Sequence, residues 1–318
     1  MSIITFPGLG LEFHLDRVAF HVLGYPVYWY GIIIAAGFLL AVGFCMRRAP
    51  KFGMTGDDLI DMLLFAVPLA IIGARLYYII FYLDFFTNPD GSLNWKEMLL
   101  VRDGGLAIYG GVIAAVLTVI VFCKVRKAKI GAYLDIGAFG LLIGQAVGRW
   151  GNFMNAEAFG SETTLPWRMG VQVWNEVSQT YVSYGEVHPT FLYESLWNVV
   201  GFVLLLVVAN KWRKYDGQIF TGYVAWYGIG RAWIEGLRTD SLYFFGLKLF
   251  GSPIRTSQVL AATSAAVAIG LLIWQLKFRQ HTPETLYCNR VKEVKDDDMD
   301  GREGPGGQGE GRAEGEDR

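Results

Sequence analysis

The sequence predicts an all-α integral membrane protein with about seven transmembrane helices. Apolar residues make up 53% of the 318 residues and charged residues only 18%, whereas soluble domains carry about 25% charged residues. The charges are gathered in short clusters and near the end of the chain, so long apolar runs remain between them. A bilayer core about 30 Å thick needs about 20 apolar residues per helix, and the runs meet that length. They cover about residues 27–46, 59–83, 106–123, 132–150, 190–209, 218–236 and 256–276.

Basic residues follow every second predicted span. Cytoplasmic loops of membrane proteins are enriched in Lys and Arg. The sequence therefore predicts an N-terminus outside and a C-terminus in the cytoplasm. The clusters are Arg47, Arg48 and Lys51; Lys124, Arg126, Lys127 and Lys129; Lys211, Arg213 and Lys214; and Lys277 and Arg279.

Composition divides the chain into three parts. Residues 1–26 are too short and broken to span a bilayer, and we expect them to lie along the outer interface. Residues 27–280 form the membrane domain. Its longest outer loop, 151–189, predicts a small extracytoplasmic cap in which short strands are compatible with the Thr, Val and Tyr content. Residues 281–318 are rich in Gly and acidic residues and predict a disordered cytoplasmic tail.

Composition also argues against several classes of partner and site. The net charge is -1 and no basic patch is interleaved with aromatic residues, so a nucleic-acid partner is not expected. Cys45, Cys123 and Cys288 form no CxxC or Cys/His cluster, so we expect neither a metal site, a cofactor nor a disulfide framework. The N-terminus lacks the basic region and small-residue cleavage site of a cleavable signal peptide.

Polar residues crowd the end of the fourth predicted span, in the run GRWGNFMNAEAFG at 148–160. Arg149 and Asn152 are spaced i, i+3, which places them on one helix face, and Asn155 and Glu157 follow closely. An ordinary polar helix end at the interface is the alternative interpretation. Because buried charges in membranes usually mark functional sites, we favour a functional role.

The sixth predicted span contains a second group of charges. Arg231 and Glu235 are spaced i, i+4 and can pair, and Arg238 lies one turn beyond. A structural ion pair between helices is the alternative, but it does not explain the additional arginine. Arg149, Arg231 and Arg238 together predict a cationic pocket near the outer leaflet. Guanidinium groups match phosphate oxygens bidentately, so a phosphate-bearing lipid is the expected ligand.

Isolated polar residues add further candidates. Tyr109 lies between glycine pairs near the start of the third span, and Tyr30 opens the first; both could instead be interface anchors. Glu194 lies inside the fifth span, and His188 precedes it as a candidate base or a capping residue. Two more charges, Arg75 and Asp135, lie in the second and fourth spans, and we expect them to pair and serve a structural role.

The run at 148–160 resembles the signature of the bacterial prolipoprotein diacylglyceryl transferases, G-R-x-G-N-F-x-N-x-E-x-x-G, at every fixed position. The resemblance extends in order over about residues 20–280 and includes the Tyr-Gly opening of the first span, D-G-G-[…]-G-G, H-P-[…]-L-Y-E and R-x-x-x-E-x-x-R. It implies an enzyme of the bacterial inner (cytoplasmic) membrane that transfers a diacylglyceryl group from phosphatidylglycerol to the lipobox cysteine of prolipoprotein signal peptides. A thioether forms and glycerol phosphate leaves.

The resemblance also implies the site residues and the surrounding lipid environment. Many members have histidine where this chain has Tyr109, so an obligatory histidine base is not expected at that position. Candidates for the base are Tyr109, Glu157, Glu235 and His188; alternatively, the cationic pocket alone lowers the thiol pKa. The implied catalytic residues are Arg149, Arg231, Glu235, Tyr109 and Asn152, and the implied substrate-binding residues are Tyr30, Arg149, Asn152, Glu157, Gly160, Glu194 and Arg238.

Other membrane-protein classes fit the sequence less well. A retinal protein needs a lysine inside its last span, and 256–276 contains none. A transporter predicts polar residues that reach both faces, whereas the polar groups here are concentrated toward the outer half. A metal-dependent alcohol phosphotransferase would need several aspartates on one helix, which the sequence lacks.

Overall fold

The computed structural model describes residues 1–88, 90–100, 104–239, 243–249 and 252–291. Most of these residues are helical, which confirms the predicted all-α membrane fold. The helix boundaries lie within a few residues of the predicted spans. The α-helices are α1 Trp29–Arg48, α2 Gly56–Phe81, α3 Trp95–Leu99, α4 Ile108–Val125, α5 Ile130–Asn155, α6 Thr190–Lys211, α7 Gln218–Glu235 and α8 Thr256–Phe278.

Six of these helices are long and apolar enough to cross a membrane by length and composition: α1, α2, α4, α5, α6 and α8. The remaining predicted span is α7, which is 18 residues long. It carries Gln218, Arg231 and Glu235, and the first and last of these are buried in the protein. These polar side chains therefore face neighbouring helices and not lipid, so α7 can carry more polar residues than the other six.

The connection between α1 and α2 shows how the local sequence sets helix ends. Arg47 and Arg48 occupy the last turn of α1, where they interact favourably with the helix dipole. Thr55 caps α2 through a capping box, because its Oγ1 accepts from the Asp58 N–H at 3.1 Å and its own N–H donates to Asp58 Oδ2 at 2.8 Å. This basic turn marks one end of the bundle, which we call the basic end; it also holds Lys124, Lys129 and Lys211.

The opposite end carries a four-stranded antiparallel sheet with the order β2-β1-β5-β6. Strands β5 Met169–Asn175 and β6 Thr180–Val187 lie in the predicted cap loop. Strands β1 Ser2–Phe6 and β2 Leu11–Leu15 come from the N-terminal segment, which the sequence placed along the interface. Ser2 aligns with Val173, so the cap is built from both segments. Buried Ile4 and Phe6 alternate with the less buried Ile3 and Thr5, as expected for a strand with one face toward a core. Their side chains pack in the hydrophobic cluster below the sheet, which favours the pairing of β1 with β5.

Two hairpins complete the strand content. Strand β3 Val18–Val22 pairs with β4 Tyr25–Tyr28 immediately before α1. Strand β7 Tyr243–Leu249 pairs with β8 Ser252–Arg255 between α7 and α8. Each hairpin therefore leads directly into a membrane helix.

Helices α2 and α4 pack closely because glycines face each other. A Cβ on Gly73 would lie 2.4 Å from Ala114 Cβ, and one on Gly110 would lie 2.3 Å from the Gly73 carbonyl oxygen. Small residues allow such close approach in membranes. The main hydrophobic core, which includes Phe122 and Phe139, joins this pair to α5 at the basic end.

The predicted pairing of Arg75 with Asp135 is wrong. Asp135 accepts the backbone N–H groups of Gly217 and Phe220 at 2.9 Å each, and its Oδ2 lies 3.5 Å from Arg213 Nε. The pair cannot form because Asp135 lies near the start of α5 at the basic end, whereas Arg75 lies toward the other end of α2. The Arg75 guanidinium instead donates to the carbonyls of Glu97, Met98, Leu100, Gly104 and Gly105.

The first part of the predicted tail is folded, which corrects the expectation that disorder begins at 281. The Tyr287 N–H donates to Asp216 Oδ2 at 2.9 Å, and Lys129 Nζ donates to the Thr285 carbonyl at 2.7 Å. Tyr287 also packs against the main core. These hydrogen bonds and the packing of Tyr287 thus hold residues 281–291 against the bundle. Residues 292–318 lie outside the described residues, and their disorder stays a prediction.

Candidate active site

A buried carboxylate joins three arginines at the cap end of the bundle. Glu194 lies one turn into α6 and its side chain is 5% exposed. It forms a short ion pair with Arg149 of α5, and its Oε1 lies 3.3 Å from Arg231 Nη1 and 3.7 Å from Arg238 Nη1. The predicted convergence of the three arginines is confirmed, and Glu194 is at its centre. We call Arg149, Arg231, Arg238, Glu194 and Glu235 the arginine cluster.

Glu235 is the second carboxylate of the arginine cluster. Its Oε2 lies 2.6 Å from Arg231 Nη2, so the predicted i, i+4 pair is present. Ser257 Oγ donates to Glu235 Oε1 at 2.6 Å, and Arg255 donates to the Glu235 carbonyl oxygen. The start of α8 therefore fixes the position of the carboxylate that holds Arg231. Sequence analysis missed Ser257, because its contact depends on the packing of α8 against α7.

A chain of amide hydrogen bonds connects Arg149 to the end of α5. Arg149 Nη1 donates to Asn152 Oδ1 at 3.3 Å, and Asn152 Nδ2 donates to Glu157 Oε1 at 3.0 Å. Asn155 Nδ2 donates to the same Glu157 oxygen at 3.2 Å. The helix ends here because Ala156 adopts a left-handed conformation, with φ of 51°. The predicted face shared by Arg149 and Asn152 is confirmed.

Two of the predicted site residues, Tyr30 and Gly160, pack against segments next to the arginine cluster. A Cβ on Gly151 would lie 2.8 Å from Tyr30 Cδ2, so the Tyr30 ring lies directly against α5. The Gly160 N–H donates to the His188 carbonyl at 3.0 Å, and Gly160 forms a β-bridge with Arg238. A Cβ on Gly160 would lie 2.7 Å from His188 Cβ. Gly160 therefore allows the cap, α6 and the segment after α7 to meet.

Two tryptophans fix the register between α6 and α7. The indoles of Trp197 and Trp226 stack at 4.2 Å between centroids. Trp197 Nε1 donates to the Trp226 carbonyl at 3.0 Å, and Trp226 Nε1 donates to the Trp197 carbonyl at 2.9 Å. Each indole lies on a glycine of the other helix, Trp197 on Gly230 and Trp226 on Gly201. We call these four residues the Trp–Gly lock.

The Trp–Gly lock determines which residues face each other in the arginine cluster. Glu194 precedes Trp197 by about one helical turn, and Arg231 directly follows Gly230. A shift of α6 against α7 would therefore separate Glu194 from Arg231. Sequence analysis missed the lock; its only local signal was a tryptophan and a glycine inside each of two spans.

A model of the prolipoprotein diacylglyceryl transferase family matches residues 17–274 of this chain. The chain belongs to this family. It is 43% identical over 274 residues to the phosphatidylglycerol–prolipoprotein diacylglyceryl transferase of Bacillus cereus, covering 86% of this chain and 96% of the relative. The proteins of the same name from Enterococcus faecalis and Listeria monocytogenes are 41% identical over 284 residues (88% and 96%) and 42% over 262 residues (82% and 90%).

Family membership makes the chain a transferase. Tyr109 is one of its candidate bases. Tyr109 lies at the start of α4, half exposed, with its ring centroid 6.4 Å from that of Tyr77. Within the described residues, it makes no hydrogen bond to the arginine cluster. The structure links most of the implied residues by ion pairs and hydrogen bonds: Arg149, Asn152, Glu157, Glu194, Arg231, Glu235 and Arg238. Tyr30 and Gly160 lie against α5 and the cap segment beside them. Tyr109 lies on α4, outside these contacts.

His188 lies at the junction of the cap and α6. Its Nδ1 is 3.2 Å from Tyr193 Oη, and Trp167 Nε1 donates to the same hydroxyl at 2.8 Å. Burial lowers the pKa of His188, which favours the neutral ring. Within the described ranges, no three His, Cys, Asp or Glu side chains are grouped as metal ligands.

Proposed function

We propose that this chain transfers the diacylglyceryl group of phosphatidylglycerol to the lipobox cysteine thiol of prolipoproteins, in the bacterial inner membrane. Three relatives that cover most of the chain carry the name of this activity. The observation that carries the proposal is the arginine cluster, because the reaction releases a phosphate group and needs cations to stabilise it. The membrane lipid phosphatidylglycerol and a signal peptide are the substrates.

The net charge of the arginine cluster suits a phosphodiester. Three guanidinium groups and two carboxylates leave 3 − 2 = 1 excess positive charge, which equals the single negative charge of phosphatidylglycerol. The carboxylates also hold the arginines in place before a lipid binds. Each guanidinium carries five N–H donors, so groups remain for phosphate oxygens. The five side chains are largely buried, and the low local dielectric strengthens each interaction.

In the proposed reaction, the peptide sulfur attacks the glycerol carbon that carries the phosphate. The C–S bond forms as the C–O bond breaks, and the bonding electrons pass to the phosphate oxygen, so glycerol phosphate leaves. Negative charge therefore grows on phosphate in the transition state. Arg149 and Arg231 stabilise that charge, Asn152 orients Arg149, and Arg238 binds the headgroup. Tyr30, Glu157 and Gly160 shape the substrate site beside them.

The thiol proton must leave before or during the attack, because the thiolate is the nucleophile. The positive field of the arginine cluster lowers the thiol pKa, and this needs no dedicated base. Glu235 is held by Arg231 and Ser257, which disfavours it as a base. Glu157, neutral His188 and Tyr109 stay open as proton acceptors, the last only if the substrate bridges the two helix groups.

The membrane orientation follows from the two ends of the bundle. The basic end holds the Lys and Arg clusters and the arginine cluster lies at the other end, near the cap sheet. We infer that the basic end is cytoplasmic. The transfer site then faces the outer leaflet, where the signal-peptide cysteine of an exported precursor would be available.

The test uses purified protein, phosphatidylglycerol labelled in its acyl chains, and a peptide with a Leu-Ala-Gly-Cys lipobox. We expect label on the peptide and free glycerol phosphate in equal amounts. A Leu-Ala-Gly-Ser peptide is the matched control and should accept no label. The proposal fails if folded protein transfers nothing, or if the serine peptide is labelled equally well.

A further inference from the structure

A cavity lies at the basic end of the bundle, far from the arginine cluster. It has a volume of about 290 Å³ and forms where the chain leaving α8 folds back toward the α6–α7 connection. Lys214 lies on one side, Arg279 and His281 lie on the other, and Leu276 and Pro283 supply apolar walls. Its size suits a phosphate headgroup but not two acyl chains.

The polar lining of this cavity is cationic. Among the described residues, no carboxylate lines it and neither Lys214 nor Arg279 forms an ion pair. The third lining cation, Arg213, is paired with Asp135 and Asp216. Arg279 lies over the Trp274 ring at 5.2 Å. His281 Nε2 is 3.0 Å from the Gln275 carbonyl oxygen, which can only accept, so the ring donates there and its Nδ1 is left for another partner.

The cavity opens beside a lipid-facing surface. Ile273, Trp274 and Leu276 at the end of α8 are exposed apolar side chains. Trp and Arg at a helix end mark the headgroup level, because the indole and the aliphatic stem are apolar whereas their tips are polar. A lipid whose phosphate occupied the cavity would therefore find apolar surface for its acyl chains on α8.

We propose that this cavity binds the phosphate of an anionic phospholipid in the leaflet opposite the transfer site. Basic pockets between helices at the cytoplasmic side of membrane proteins bind such headgroups. The cavity walls at 276–286 lie beyond residue 274, where the family match ends, so the site is not implied by family membership. The inference does not depend on the transfer reaction.

The experiment uses the full chain in detergent with photoactivatable phosphatidylserine, which carries its reactive group on an acyl chain. Photoactivatable phosphatidylcholine is the zwitterionic control. Crosslinks are mapped by peptide mass spectrometry. We expect phosphatidylserine to label the end of α8 near 271–276, and phosphatidylcholine to label it much less. Transfer activity should be unaffected by the variants described next.

Matched charge variants test the cavity itself. Lys214→Gln with Arg279→Gln should weaken phosphatidylserine labelling of this peptide about tenfold or more, because two charged donors that line the cavity can no longer bind the phosphate. Lys211→Gln with Lys277→Gln removes the same charge from the same end but outside the cavity lining, and it should change labelling less than about threefold because exposed charges at a distance are screened. Size-exclusion profiles verify that both pairs fold.

Four results would overturn the proposal. Equal labelling by phosphatidylcholine would show that charge is not recognised. Equal losses in the two variant pairs would show a diffuse surface effect. Displacement of the label by millimolar inorganic phosphate would assign the cavity to a soluble anion. Labelling that appears only in a chain ending at Val291 would show that the acidic run beginning at Asp296 fills the cavity.

Discussion

Gly230→Ala should slow the transfer reaction roughly 100-fold by disturbing the Trp–Gly lock, while leaving the fold largely intact. A Cβ at this position would lie 2.2 Å from Trp197 Nε1 and 2.4 Å from Trp197 Cδ1. Trp197 cannot rotate away easily, since it stacks on Trp226 and donates to the Trp226 carbonyl at 3.0 Å. The added methyl group must therefore push α6 and α7 apart.

The size of the displacement follows from the contacts. Ordinary contact begins at 3.4 Å, so 3.4 − 2.2 = 1.2 Å must be gained. The same shift would extend the Arg231–Glu194 contact from 3.3 Å to about 4.5 Å, beyond hydrogen-bond range.

The expected loss of stability is smaller than the loss of rate. Overpacking costs about 1–3 kcal/mol, and replacing Gly by Ala in a helix recovers about 1 kcal/mol through helix propensity. The net loss of stability is thus about 0–2 kcal/mol. A misplacement of about 1 Å costs roughly 100-fold in rate.

The assay measures diacylglyceryl transfer and thermal unfolding side by side. Gly222→Ala is the matched control on the same helix, because its Cβ would meet only the flexible tip of Leu205, at 2.8 Å from Cδ2. Adding Trp197→Leu to Gly230→Ala removes the clash and should recover part of the lost activity. Wild-type turnover by Gly230→Ala, or an equal loss in Gly222→Ala, would refute the reasoning.

Three further predictions concern separate parts of the molecule. Arg149→Ala should reduce label transfer by at least about 100-fold with an unchanged size-exclusion profile; wild-type turnover by the folded variant would remove Arg149 from the mechanism. Replacing Cys45, Cys123 and Cys288 together by Ala should preserve turnover, because the peptide supplies the thiol, whereas inactivity of the folded variant would indicate an enzyme-linked intermediate. Asp135→Asn should lower the Tm, with a loss of about 1–3 kcal/mol in the free energy of unfolding, since it weakens two backbone hydrogen bonds and one of the two ion pairs of Arg213; turnover at low temperature should persist, and an unchanged Tm would contradict this.

The helices and the arginine cluster could be predicted because each depends on a strong local signal. Spans were visible as apolar runs, and Arg149, Arg231 and Glu194 were visible as charges at membrane depth, where unpaired charge is costly. The strands of residues 1–26 were missed, because strands this short have a weak period-two pattern and β1 depends on the distant β5 for pairing. The Arg75–Asp135 pairing was wrong because Asp135 lies near the start of its helix and Arg75 far along its own, so the two charges lie at different depths.

By itself, the sequence determined which segments enter the membrane and which charged groups must be compensated there, because transfer of a residue into lipid depends on that residue's own chemistry. Only the tertiary structure decided the partners. Glu194 lies among three arginines because the stacked indoles of Trp197 and Trp226 set how α6 packs against α7. Ser257 contacts Glu235 because α8 packs against α7. Such contacts depend on ångström-scale packing between distant segments, for which no local pattern exists.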